Sequence, residues 1–248
     1  MDFLKKIITD LELHSVTGIR TCFENGIDPN QVYNGKTLFQ ELISGYLRSS
    51  NFKTCVKVFL DFGLQFENQP LLAILLDDST ALKKLIAGNS EIVSERHTLK
   101  SAFTPLENVT LLHICAEFNH VSCAKVLLQN NADVNVKAGI DEFGFGGQTP
   151  IFHTVNQHNN FSVDMMKLLA AHSAALDITL NGLIWGKGYE WETYIPAVNP
   201  ISYAMMGLLP QFQRNEVDIY QNVAFLMHEA YQINYSPTNI PNKYLEQS

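Results

Sequence analysis

Four cysteines in 248 residues, Cys22, Cys55, Cys115 and Cys123, are too few to staple a scaffold with disulfides, so they read as free thiols. No apolar run approaches the roughly 20 residues that a membrane helix needs, and the longest, 71–76, falls far short. Basic residues are scarce, with 17 Lys and Arg against 25 Asp and Glu and a formal charge of −8. Affinity for phosphate backbones comes mainly from basic side chains that release counterions, so nucleic acid is disfavoured as a partner. A secretory leader is not apparent either. Residues 1–13 carry Lys5, Lys6, Asp10 and Glu12 through a helical pattern, with no separate apolar stretch before a small-residue cleavage site. The expected compartment is the cytoplasm, with no membrane partner. Apolar residues make up 46% of the chain, which is enough to drive folding.

Internal repetition is the strongest feature. Thr110-Leu111-Leu112-His113-Ile114-Cys115-Ala116 is followed by Asn119-His120, then by Cys123-Ala124-Lys125-Val126-Leu127-Leu128, then by Asn131-Ala132-Asp133-Val134-Asn135. This unit resembles an ankyrin repeat, whose pattern is Thr-Pro-Leu-His-x-Ala-Ala, a Gly-His turn, a Val-x-x-Leu-Leu helix and a Gly-Ala-Asp-x-Asn exit in about 33 residues. Cys115 stands for a small Ala. Asn119 and Asn131 stand for turn glycines, as suits positions that need a left-handed backbone.

With that register fixed, further copies are legible. Thr149-Pro150-Ile151-Phe152 opens one, with its second helix over 163–169 and an exit at Ala174-Ala175-Leu176-Asp177. Asn199-Pro200-Ile201 opens another, paired with a helix over 217–230. Weaker copies begin at Gly35-Lys36-Thr37 and Gln69-Pro70-Leu71, and the start of the chain repeats the second helix and the exit Asn25-Gly26-Ile27-Asp28-Pro29-Asn30. Amphipathic Phe3, Leu4, Ile7, Ile8 and Leu11 suit an N-terminal cap. The resemblance implies an all-α solenoid of about six helix-turn-helix units, over 1–33, 34–67, 68–108, 109–147, 148–198 and 199–235, forming one domain over 1–235. An irregular tail over 236–248 is expected to follow.

Spacing then locates the irregularities. Openings at Thr37, Gln69, Thr110, Thr149 and Asn199 lie 32, 41, 39 and 50 residues apart, against a period of about 33. Packed helices cannot lengthen without losing register, so the excess must leave the stack as long inserted fingers near 94–108, 136–148 and 178–198. All three follow a second helix, where ankyrin stacks place their projecting turns. The last finger holds both tryptophans, Trp185 and Trp191, with Tyr189 and Tyr194, among Gly182, Gly186 and Gly188. The middle one places Phe143 and Phe145 among glycines. Such aromatics dominate binding hot spots. Nearby Asp141, Glu142, Glu190 and Glu192 against Lys187 suit a protein partner with a basic and partly apolar surface. The same aromatics could instead fold back over the stack as a satellite core, and the sequence leaves both arrangements open.

Catalytic readings fall away one by one. His113, Cys115, His120 and Cys123 are zinc-ligating types, but positions 113 and 115 point about 200° apart on one helix, and the repeat accounts for three of the four. Cys22, Cys55 and Cys123 fall on apolar faces of second helices, unlike activated nucleophiles. His153 reads as a hydrogen-bonding turn residue. Gly144-Phe145-Gly146-Gly147 lacks the Lys-Ser/Thr of a phosphate loop, and Asp78 suits a helix cap. The expected function is a non-enzymatic protein-binding module without cofactor or metal. It would grip its partner along the concave face and through Phe143, Phe145, Trp185, Tyr189, Trp191 and Tyr194. The alternative is a dedicated inhibitor or immunity-type protein that neutralises a single toxin or effector.

Overall fold

Polar caps open most of the helices. The computed structural model describes residues 2–206 and 216–234. The Asp2 carboxylate accepts the Leu4 and Lys5 amides at the start of α1 (Phe3–Glu12), and Ser15 accepts the Gly18 amide at the start of α2 (Val16–Glu24). Thr37 and Gln40 form a reciprocal capping box at α3 (Leu38–Ser44), which is followed by α4 (Phe52–Asp61). Asn68 caps α5 (Gln69–Leu75), and Asp78 caps α6 (Ser79–Gly88) by accepting the Thr80 and Ala81 amides. Thr110 and His113 cap α7 (Leu111–Phe118), ahead of α8 (Val121–Gln129). Pro150–His153 forms only a 3-10 turn before α9 (Val163–Ala171). Asn199 caps α10 (Pro200–Met205), and α11 (Glu216–Tyr231) follows.

Left-handed residues punctuate these helices at matching places. Between the two helices of a pair stand His14 (φ 47°), Asp77 (φ 54°) and Asn119 (φ 55°). After the second helix stand Gly26 (φ 92°), Gly63 (φ 90°), Asn131 (φ 63°) and Ser173 (φ 65°). Each reverses the chain in a few residues, so α1 and α2, α5 and α6, and α7 and α8 fold back on one another.

Among the described residues the chain is mostly helical but not purely so, because its connections pair as three small antiparallel sheets. β1 (Val32–Tyr33) and β2 (Lys36–Thr37) close around Asn34-Gly35, both with positive φ as a tight hairpin turn requires. β3 (Arg96–Leu99) pairs with β4 (Leu106–Thr110), with a register shift between His97 and Leu99. β5 (Leu180–Trp185) pairs with β6 (Thr193–Val198), from Leu180 opposite Val198 to Trp185 opposite Thr193. Each hairpin runs directly into the cap of a following helix, at Thr37, Thr110 and Asn199.

Neighbouring pairs stack layer on layer. α1 packs on α3 and α5 on α7, while α2 packs on α4, α6 on α8 and α8 on α9. The 3-10 turn continues the first layer between α7 and α10. Edge-on rings tie α2 to α4, with Phe23 and Phe59 centroids 4.9 Å apart, and Phe52 of α4 stacks on Phe118 of α7 at 4.3 Å. The exits are also stitched. The Asn30 amide donates to the Gly63 carbonyl at 3.0 Å while its oxygen accepts the Gln65 amide at 2.7 Å. Asn135 repeats this with Ser173 at 3.1 Å and Ala175 at 2.7 Å. The tail expected over 236–248 lies outside the described residues.

Candidate binding surface

The three insertions do not stand apart. The Gly139 amide donates to the Glu107 carbonyl at 2.9 Å, joining the second insertion to β4, and the Gly146 amide donates to Gly182 of β5 at the same distance. The Gly186 amide then donates to Phe103, in the loop between β3 and β4, also at 2.9 Å. Glycine is required where these backbones meet. A Cβ on Gly146 would lie 2.4 Å from the Gly139 carbonyl oxygen. A cleft lined by Glu107, Asp141, Phe145, Gln148, Ile184 and Lys187 lies between the insertions. Across it the Lys187 ammonium sits 2.8 Å from the Glu107 carboxylate, and that hydrogen bond raises the lysine pKa.

The six aromatics divide into two groups on this frame. Phe143, Phe145 and Tyr194 form an outward row, with centroids 6.1 Å apart for the first pair and 4.7 Å for the second. Phe143 is 71% exposed and Tyr194 48%, while Phe145 is half-buried between them. Asp141 builds the turn that presents the row, its carboxylate accepting the Phe143 and Phe145 amides at 3.0 and 2.9 Å. The other three turn onto the β3–β4 loop and the end of α3. Trp185 lies flat on Phe103 at 5.2 Å, and Tyr189 stacks on Trp191 at 4.6 Å. The Tyr189 hydroxyl donates to the Ser44 carbonyl, and the Trp191 indole N–H donates to the Ala102 carbonyl, both at 3.1 Å.

All eight residues of α7 are buried, Glu117 among them. Glu117 accepts from Arg48 at 2.9 Å and from the Nδ1–H of His153 at 2.8 Å, and all three side chains are out of contact with water. Burial works to raise the Glu117 pKa, but the Arg48 charge and the hydrogen bonds from His153 and Arg48 outweigh it and hold the carboxyl below its ordinary value. Among the described residues, Arg48 Nη2 and His153 Nε2 have no partner. His153 is thus a hydrogen-bonding residue of the 3-10 turn, and its partner is the carboxylate that also binds Arg48. Arg48 and Glu117 gave no sequence signal, since they are 69 residues apart.

The zinc-type residues are engaged otherwise. His113 Nδ1 accepts the Thr110 amide at 3.2 Å and its Nε2 hydrogen-bonds the Gln148 carbonyl at 3.1 Å, closing the cap of α7. Cys123 Sγ donates to the Ala73 carbonyl at 3.6 Å. Burial pushes the Cys55 thiol up to about 11 and raises those of Cys115 and Cys123 further, so these three stay protonated near neutral pH. Among the described residues, no group of three or more His, Cys, Asp or Glu side chains could hold a metal ion.

The cap at Thr110, the left-handed turn at Asn119 and the exit at Asn131 to Asn135 all lie in one stretch, and the family model for the ankyrin repeat matches it over residues 107–138. The chain carries an ankyrin repeat over these residues. No curated protein matches the sequence at a significant level. Among solved structures, the crystal structure of the human ASB11 ankyrin repeat domain aligns with 87% of this chain and 96% of its own, at 15% identity and a TM-score of 0.38. That likeness is too distant to bear on function. Within the matched stretch, α7 is the first helix and β4 the strand that leads into it.

Proposed function

We propose that the chain is a non-enzymatic protein-binding module of about six ankyrin-like units, over 1–33, 34–67, 68–108, 109–147, 148–198 and 199–235. It recognises its partner through the first-helix face and the aromatic residues of the inserted fingers. Ankyrin repeats in general mediate protein–protein contact. The observation that carries the reading is the outward row of Phe143, Phe145 and Tyr194, held on a frame of interlocked insertions. Exposed aromatic clusters on a rigid support are uncommon unless something covers them. Glu142, Glu190 and Glu192 are exposed around this surface, which favours a partner with a basic and partly apolar face.

Affinity purification with the intact chain and with the Phe143→Ala/Tyr194→Ala double variant tests this, with thermal melting as control. Recovery of a partner by the intact chain, lost in a variant that melts at an unchanged temperature, supports the reading. Equal recovery by both chains removes the aromatic row from it.

A further inference from the structure

The tip of the β5–β6 hairpin, residues 186–192, is held down by contacts that a free finger would not need. Two side-chain donors, the Tyr189 hydroxyl and the Trp191 indole N–H, are spent on the carbonyls of Ser44 and Ala102, and the Gly186 amide is spent on Phe103. The Lys100 ammonium lies 4.6 Å from the centre of the Tyr189 ring, within cation–π range. Ser44 is the last residue of α3, and the β1–β2 hairpin sits at the opposite end of that helix. A segment touching Ser44 has therefore reached the end of α3 that lies away from that hairpin, about 10 Å along a seven-residue helix. The six-residue strands β5 and β6 supply the reach, at about 20 Å. The first-helix face is thus capped at its Ser44 end by a segment whose recognition groups are a phenol and an indole stacked on one another. Its receptor groups are main-chain carbonyls and one ammonium, which any chain offering the same donors could use.

We infer that the 186–192 tip is a tethered internal occupant of the binding face. The partner displaces it with an aromatic turn of its own, whose tyrosine and tryptophan donors take over the carbonyls of Ser44 and Ala102. This rests on the protein-binding reading of the face and names the chemistry of the partner. The hold is suited to exchange, being a few hydrogen bonds and a Trp191 ring that is 42% exposed. A short tether keeps the tip at an effective concentration in the millimolar range, so it blocks weak competitors and yields to a strong one.

The test uses no partner, so its failure is separable from failure of the partner capture. Residues 186–192 are replaced by Asn-Gly, a two-residue turn that closes the Trp185–Thr193 pair. The probe is a fluorescent, backbone-cyclised peptide of residues 185–193. Saturable binding to the shortened chain at least about tenfold tighter than to the intact chain is expected, with marked weakening when the peptide carries Tyr189→Phe and Trp191→Phe. The full-length Tyr189→Phe/Trp191→Phe chain, which keeps the rings but frees both carbonyls, should bind the peptide more tightly than the intact chain. It decides the matter if the shortened chain does not fold. Equal binding to intact and altered chains, or no binding to an altered chain with intact helical circular dichroism, overturns the inference.

Discussion

Arg48, in the turn between α3 and α4, reaches Glu117 near the end of α7, with Nε 2.9 Å from Oε1 and neither side chain open to water. The guanidinium also donates to the Gly45 carbonyl and lies 4.5 Å over the Phe118 ring, so it ties its own turn to the fourth helical pair. Breaking such a pair strands a buried charge. Glu117→Ala or Arg48→Ala should each cost about 3–5 kcal/mol in urea unfolding. The Arg48→Ala/Glu117→Ala double variant should cost less than the sum of the singles, because neither charge is then left unpaired. A strictly additive double variant would mean that the two side chains do not share their energy.

Little of this network could be read from the chain. Arg48 sits in a turn and Glu117 on a helix 69 residues later, and neither position is marked by its neighbours. The ankyrin unit is legible because its key residues advertise their conformations: Thr110 as a cap, Asn119 and Asn131 as left-handed turns. The same kind of turn at Ser173 uses a residue that carries no such flag. The first helix after Thr149 shortens to a 3-10 turn, where β-branched Ile151, Thr154 and Val155 crowd a segment opened by Pro150. The lengths of the insertions follow from counting residues between openings. The contacts of the β5–β6 hairpin tip do not, since one of them is with Ser44, 145 residues from Tyr189.

Acid should loosen the stack before it reaches the usual carboxylate range. Burial pushes the pKa of His14 down to about 4, with the Arg48 charge adding to the effect, and burial pushes His120 down to about 4 as well. Both rings are neutral in the folded chain near pH 6, whereas the unfolded chain takes up protons below its ordinary histidine value of about 6.5. Stability is therefore fully present above pH 6.5 and falls as the pH drops from there toward 4, by up to about 1.4 kcal/mol per pH unit for each ring. Glu117, whose carboxyl is held low, extends the loss as the pH falls below the ordinary carboxylate value and through its folded one. Urea midpoints measured from pH 7.5 to 4 check this, and a flat profile between 6.5 and 5 would contradict the burial of both rings.

The left-handed turn at Asn119 separates backbone strain from side-chain bonding. Its amide donates to the Phe161 carbonyl at 2.7 Å, linking one helical pair to the next, while its φ is 55°. Asn119→Gly loses the hydrogen bond alone, at about 1 kcal/mol. Asn119→Ala loses the bond and also forces a Cβ into the left-handed region, so it should be less stable than the glycine variant by about 1 kcal/mol or more. Thermal unfolding of the two variants side by side decides the order, and equal melting temperatures would show that the turn relaxes out of that region.

Phe143 and Trp185 belong to neighbouring insertions yet should respond oppositely to truncation. Phe143 is 71% exposed and touches only the half-buried Phe145 ring among aromatics, so Phe143→Ala should change stability by less than about 0.5 kcal/mol. Trp185 is half-buried and lies flat on Phe103, whose carbonyl also holds the tip through Gly186. Trp185→Ala removes that platform and should cost about 2–3 kcal/mol, at the low end for a large aromatic because the ring is only partly covered. Hydrogen exchange sharpens the comparison. Trp185→Ala should speed exchange at the Gly186 amide, which is bonded to Phe103, while Phe143→Ala leaves it unchanged. Were Phe143→Ala the more damaging of the two, the outward row would be part of the core and could not serve as the face offered to a partner.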